Sequence, residues 1–322
     1  MSRTQLPRFA ELLLTVGGLL LCLSASAQTD SLAERPAFTV VSSIQPLALI
    51  ARAVGGESTE INVLIEGHDS AHHFTLSPSD RLAISSADLL LWIGPEFEVF
   101  LEPLMARMAD HKLITASQLA GMTLHRLGSE SIDPHMWLDP ENARVLAEAI
   151  ADQMSDADPE RADVYRTNLH EFSNQLQNTA DRITSELAAL PAFNFAVYHN
   201  AYQYFERRFG LEHAVALVND PETAPSIQQT LRTQAQISES KPACVLVEPD
   251  HSPALLATML QSHEAEIIAL DPLGNGLIET DDHDSHDSHD NHEEHAPGLA
   301  PQNYSQLLLG ISASFQRCAD SN

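Results

Sequence analysis

The chain has 322 residues, of which 43% are apolar, enough for two domains with sizeable cores and too much for a disordered polymer. Its 45 acidic and 17 basic side chains leave a formal charge of −28, which argues against nucleic acid or an anionic membrane as partner and favours cations. The 16 histidines are the sharper anomaly, because imidazole is a metal donor and histidine is a scarce residue.

In chain order, Arg3 and Arg8 come first, then an apolar run from Leu12 to Leu23, then Ala25-Ser26-Ala27 and Gln28. That is the charged, apolar and small-residue order of a secretory leader. Residues 1–27 therefore read as a signal peptide, and the mature protein as periplasmic. A membrane anchor needs about 20 apolar residues, more than this run holds, and Leu21 before Cys22 disfavours a lipid anchor. No later run is long enough to span a bilayer. Cleavage leaves Cys244 and Cys318, and in an oxidising compartment a bridge between them is favoured over two isolated thiols.

Phe38 to Ser42 reads as a β-branched strand, and Pro46 to Val54 as a short amphipathic helix ended by Gly55-Gly56. Glu60 to Ile65 is a second strand. Ser77 and Pro78 supply the cap and first-turn proline of the next helix. Asp88 to Ile93 is almost wholly apolar, the pattern of a strand covered on both faces, and Gly94-Pro95 stops it. Leu113 to Thr115 is a further short strand, and Asp139-Pro140 opens a helix to about Met154. Residues 28–157 thus read as an α/β lobe with a parallel sheet.

From Asp158 to Leu190 the pattern changes. Val164, Leu169, Phe172, Leu176, Ile183, Leu187 and Leu190 form one stripe at helical spacing, uninterrupted by Gly or Pro until Pro191. A helix over 158–190 would be about 45 Å long, a stiff connector between lobes. Over 191–322 alternation resumes. Strands are expected at Phe193–Tyr198, Ala214–Val218, Cys244–Val247 and Ile267–Leu270, with helices at Ala201–Phe209, Ser226–Ser238, Pro253–Ser262 and Tyr304–Cys318. The fold expected is α/β, two Rossmann-like lobes with parallel sheets joined by a long rigid helix.

Three histidines stand where strands or capped helices meet loops: His72 ahead of the Ser77 cap, His135 ahead of Asp139-Pro140, and His199 just after a strand. Ligands of open α/β sheets bind beyond the carboxyl ends of strands, which also draws in Asp271. Three imidazoles and one oxygen make a tetrahedral zinc site, whereas Mg²⁺, Ca²⁺ and Mn²⁺ favour oxygen. Taken singly, each of these histidines is equally readable as a solvated or hydrogen-bonded side chain.

The stretches His72-His73-Phe74 with Pro78-Ser79-Asp80, Ala87 to Glu96, Asp133-Pro134-His135-Met136-Trp137, Tyr198 to Tyr202, Cys244 to Pro249 and Asp271 to Gly274 run in order through nearly the whole mature chain. In them the sequence resembles the ZnuA-like family, the periplasmic zinc-binding components of zinc ABC importers. The resemblance implies a metal held between two lobes by His72, His135 and His199. It implies Asp271 as a fourth ligand and a Cys244–Cys318 disulfide. It also implies an importer permease, with its ATPase, as partner of a monomeric receptor. Two features depart from the family pattern. Ala71 stands where some zinc receptors carry glutamate, so the fourth ligand is Asp271 or water. The short stretch Leu124 to Ile132 holds only His125, and a histidine-rich tract lies near the C-terminus instead. Manganese receptors of the superfamily tend to carry a carboxylate where this chain has His199, so zinc is preferred to manganese.

That tract places His283, His286, His289, His292 and His295 every third residue among Asp, Glu, Ser and Asn, with no apolar residue from Asp281 to His295. Such a segment is expected to be disordered and to gather Zn²⁺ weakly; the bland reading is a solubilising loop. Two rival functions remain. A zinc hydrolase fits three histidines and a water, but the chain has no HExxH and no general base beside the site. A metalloprotein serving adhesion is the other.

Overall fold

The computed structural model describes residues 37–65, 74–128, 131–219, 221, 223–261, 263–276 and 301–321. The leader at 1–27, Ala71 and His72, and the tract from Asp281 to His295 lie outside the described residues.

The first lobe begins with β1 (Phe38–Ile44), α1 (Gln45–Gly55), β2 (Thr59–Ile65), α2 (Pro78–Ser86), β3 (Leu89–Trp92), α3 (Glu102–Met105) and β4 (Leu113–Thr115). These strands form one parallel sheet in the order β2-β1-β3-β4. The Ser77 side chain accepts from the Asp80 amide while the Asp80 carboxylate accepts from the Ser77 amide, so the expected cap is a reciprocal box. A two-residue ribbon of β5 (Arg126–Leu127) and β6 (Ser131–Ile132) follows, too short to leave a pattern in the sequence. Next comes α4 (Pro140–Ala157), capped by Asp139 through the Glu141 amide.

The connecting helix starts later than the expected bound at Asp158. Asp158 leaves the helical region, Pro159 opens a single 3-10 turn, and α5 runs over Ala162–Ala188. Its 27 residues span about 40 Å. Val164, counted in the stripe, is exposed, and Tyr165 takes the inward place. Tyr165, Phe172, Leu176, Ile183 and Leu187 then repeat at intervals of seven and four on the buried face.

The second lobe comprises β7 (Phe195–His199), α6 (Gln203–Phe209), β8 (Val215–Val218), α7 (Ile227–Ser240), β9 (Cys244–Val247), α8 (Pro253–Leu260), β10 (Glu266–Ala269) and α9 (Tyr304–Asp320). Its parallel sheet has the order β10-β9-β7-β8. Strand alternation shows in its two faces. Phe195, Val197, Cys244 and Leu246 join the main core, while Ala196, Tyr198, Val245 and Val247 fill a second cluster on the opposite face. Cys244 and Cys318 are bridged with Cα atoms 5.5 Å apart, tying the start of β9 to α9.

Both sheets use the same winding. A central strand is followed by one on its left and then one on its right, leaving a switch point between β1 and β3 in one lobe and between β7 and β9 in the other. The main core runs without a break from Val40 and Ile50 through Trp137 and Tyr165 to Phe195, Tyr204 and Phe315. Among the described residues, no helix is long and apolar enough to cross a membrane.

Candidate metal centre

His135 is built into a tight segment between β6 and α4. The Asp133 amide donates to the His125 carbonyl at 2.9 Å, closing the β5–β6 ribbon. The fully buried Asp133 carboxylate then accepts from the His135 amide at 3.0 Å and lies 2.7 Å from its Nδ1. A carboxylate on Nδ1 holds the proton there and leaves the Nε2 lone pair free, the usual arrangement behind a metal-binding imidazole. Phe97 and Trp137 flank the ring at centroid distances of 6.0 and 5.3 Å, so its surroundings are largely dry.

The segment belongs to the first lobe in sequence but is held by the second. The Tyr204 hydroxyl donates to the Asp133 carbonyl and accepts from the His125 amide, each at 2.9 Å. Trp137 Nε1 donates to the Pro272 carbonyl at 2.9 Å, and the Tyr304 hydroxyl donates to the Trp137 carbonyl.

His199 is the last residue of β7 rather than the first beyond it, at the switch point beside β9. Its Nδ1 lies 3.1 Å from Glu248 Oε1. The contact is within ion-pair reach but poorly aligned, so it counts as a charge contact rather than a finished hydrogen bond. Burial disfavours the charged ring. Glu248 outweighs that, with help from Asp250 and Asp133, and the pKa of His199 is raised.

The two rings meet. His135 Nε2 and His199 Nε2 are 3.4 Å apart. Two nitrogens on a tetrahedral zinc with bonds of about 2.05 Å are separated by roughly 3.3 Å, so the pair already has the spacing such an ion requires.

Asp271 follows β10 as expected, but its carboxylate is engaged. Oδ1 accepts from the amides of Leu273 and Gly274 and Oδ2 from that of Gly276, all at 2.9 Å. Burial raises its pKa against the pull of those amides. Gly274 has φ +71°, and a Cβ there would come within 2.8 Å of Pro301, so the turn needs glycine. The described residues bring together His135 and His199; no group of three possible metal-binding side chains is assembled among them. His72 and the five histidines of the tract lie outside the described residues.

Two carboxylates that stand behind these imidazoles were missed in the sequence. Glu248 stands immediately after the apolar strand β9, where the rule that selected His199 and Asp271 selects it equally. Asp133 stands two residues before His135, close enough to hold its ring.

Residues 40–292 match the family described as zinc-uptake complex component A, periplasmic. The high-affinity zinc uptake system protein ZnuA of Yersinia pestis is 31% identical over 271 residues, covering 76% of this chain and 85% of that protein. A crystal structure of ZnuA superposes with a TM-score of 0.70 at 26% identity, covering 88% of this chain and 98% of that one. A zinc-bound ZnuA lacking residues 138–173 gives 0.71 at 25% identity, over 89% and 98%. With its two lobes, its connecting helix and this match over most of its length, the chain belongs to the periplasmic component A family of zinc-uptake complexes.

Proposed function

We propose that the protein is a periplasmic receptor that captures Zn²⁺ and hands it to the permease of an ABC importer, without catalysis. One observation carries the reading: two buried imidazoles present Nε2 atoms 3.4 Å apart, each with a carboxylate behind it. His72 is the third ligand, and Asp271 or a water the fourth. Zinc-uptake relatives and a zinc-bound neighbour support the choice of ion, as does imidazole at His199, a softer donor than carboxylate. The periplasmic family description supports export, with residues 1–27 as leader. The protein acts as a monomer, and the tract from Asp281 to His295 gathers zinc weakly around one tight site.

The test is zinc titration of the mature protein beside His199→Ala, with bound metal counted. One tight equivalent is expected, weakened about 100-fold or more in the variant, roughly 2.7 kcal/mol. Tighter binding of manganese than of zinc would overturn the reading.

A further inference from the structure

The centre contains two buried carboxylates that need not touch the ion. Asp133 is fully buried and Glu248 is 4% exposed, and among the described residues neither pairs with Lys or Arg. Asp133 Oδ2 and Glu248 Oε2 are both buried without a partner. Such groups are costly unless a nearby positive charge compensates them.

Glu248 is also unusually well placed. Its Oε1 accepts from the Tyr202 hydroxyl at 2.6 Å while lying 3.1 Å from His199 Nδ1. Tyr202 is fully buried and packs edge-on against Phe315 at 6.4 Å, so its hydroxyl has little freedom. The Glu248 carbonyl accepts from the His251 amide at 3.2 Å and lies 2.7 Å from His251 Nδ1, which holds the main chain as well.

We propose that Glu248, steered by Tyr202, is a positioning residue for zinc: it keeps the His199 proton on Nδ1, turns Nε2 toward the ion, and supplies part of the buried charge that a divalent cation neutralises. This rests on the zinc-receptor reading above. A neutral imidazole puts its proton where an acceptor waits, so a carboxylate at Nδ1 selects the metal-binding tautomer. With water as the fourth ligand, Zn²⁺ and neutral histidines cancel the two carboxylates, while a monovalent ion leaves one negative charge buried. Neither role requires Glu248 to be a ligand.

The experiment compares wild type, Glu248→Gln and Tyr202→Phe in the mature chain. Competition titration with zinc is combined with the ¹⁵N shifts of His199 in the metal-free protein, above the imidazole titration range. Gln keeps the volume and an acceptor but removes the charge. Zinc affinity is expected to fall 10- to 100-fold in Glu248→Gln, and by about three- to tenfold in Tyr202→Phe. The Nδ1–H tautomer should dominate in wild type and give way to a mixture in Glu248→Gln. A residue that only supports the fold would move unfolding temperature and leave the tautomer alone. Weak zinc binding by wild type would defeat the receptor reading itself. Tight wild-type binding with unchanged affinity and tautomer in Glu248→Gln would overturn this inference alone. If Glu248→Gln does not fold, Tyr202→Phe decides: folded, with wild-type affinity and tautomer, it overturns the proposal.

Discussion

At the residue scale the proposed centre is a contest between a proton and a metal ion. His199 is raised above its ordinary value because Glu248, aided by Asp250 and Asp133, overcomes the burial that works against the charged ring. Zinc requires the neutral ring. Proton competition should therefore begin above the ordinary imidazole value of about 6.5. Zinc affinity is expected to decline as pH falls toward that value and through it, and a flat affinity down to about pH 5 would contradict the proposed ligand. For metal-free protein the sign is the usual one for a raised histidine. The stabilisation is fully present below the unfolded value of about 6.5 and is lost as pH rises through the folded value. His72, His135 and His199 stood out in the sequence because motifs in family order carried them. Glu248 was open to the strand-end rule that drew in Asp271, but its place beside Tyr202 and His199 shows only in the fold.

At the element scale, most strands and helices were legible from apolar runs and capping residues. The exceptions have physical causes. The β5–β6 ribbon is two residues a side, below the length at which alternation shows. The break at Asp158 to Arg161 was hidden because Pro159 reads equally as a first-turn proline. The disulfide fixes the amino end of β9, whereas Glu248 lies just past its carboxyl end, about 13 Å along the strand. Cys244→Ser with Cys318→Ser should thus cost about 2–5 kcal/mol by denaturant titration while zinc affinity stays within about twofold. A large affinity loss would mean that β9 transmits strain to the centre.

The loop after β3 supports a second element-scale prediction. Glu98 sits at the first lobe's switch point, the counterpart of Glu248 in the second, fully buried and accepting from Ser43 Oγ and the amides of Ile93 and Gly94. Burial pushes it up to about 7, against those hydrogen bonds. As pH rises from 4.5 to about 7 the unfolded chain releases this proton and the folded protein keeps it. Stability relative to Glu98→Gln should therefore fall by up to about 3 kcal/mol over that window. Urea unfolding of both proteins at each end of it provides the measurement, and a gap independent of pH would show Glu98 ionised throughout.

At the scale of the whole molecule, the fold class was legible because two runs of alternating strands and helices flank one long amphipathic stretch. That the two lobes share a core was not, since no local pattern announces which side chains meet across a distance. The shared core runs from Val40 to Phe315, and the segment bearing His135 is fastened to the second lobe by Tyr204, Trp137 and Tyr304. Neither lobe can unfold without exposing apolar surface of the other. Calorimetry of the metal-free mature protein should thus show one cooperative transition rather than two. Zinc at about a thousandfold its dissociation constant should stabilise that transition by about 4 kcal/mol. Tyr204→Phe tests the fastening itself. It removes one hydroxyl and strands the His125 amide and the Asp133 carbonyl, at an expected cost of about 1–3 kcal/mol. Because that carbonyl belongs to the residue holding His135, zinc affinity should weaken along with stability. Two separable transitions, or a Tyr204→Phe protein destabilised with zinc affinity intact, would show that the centre belongs to one lobe alone.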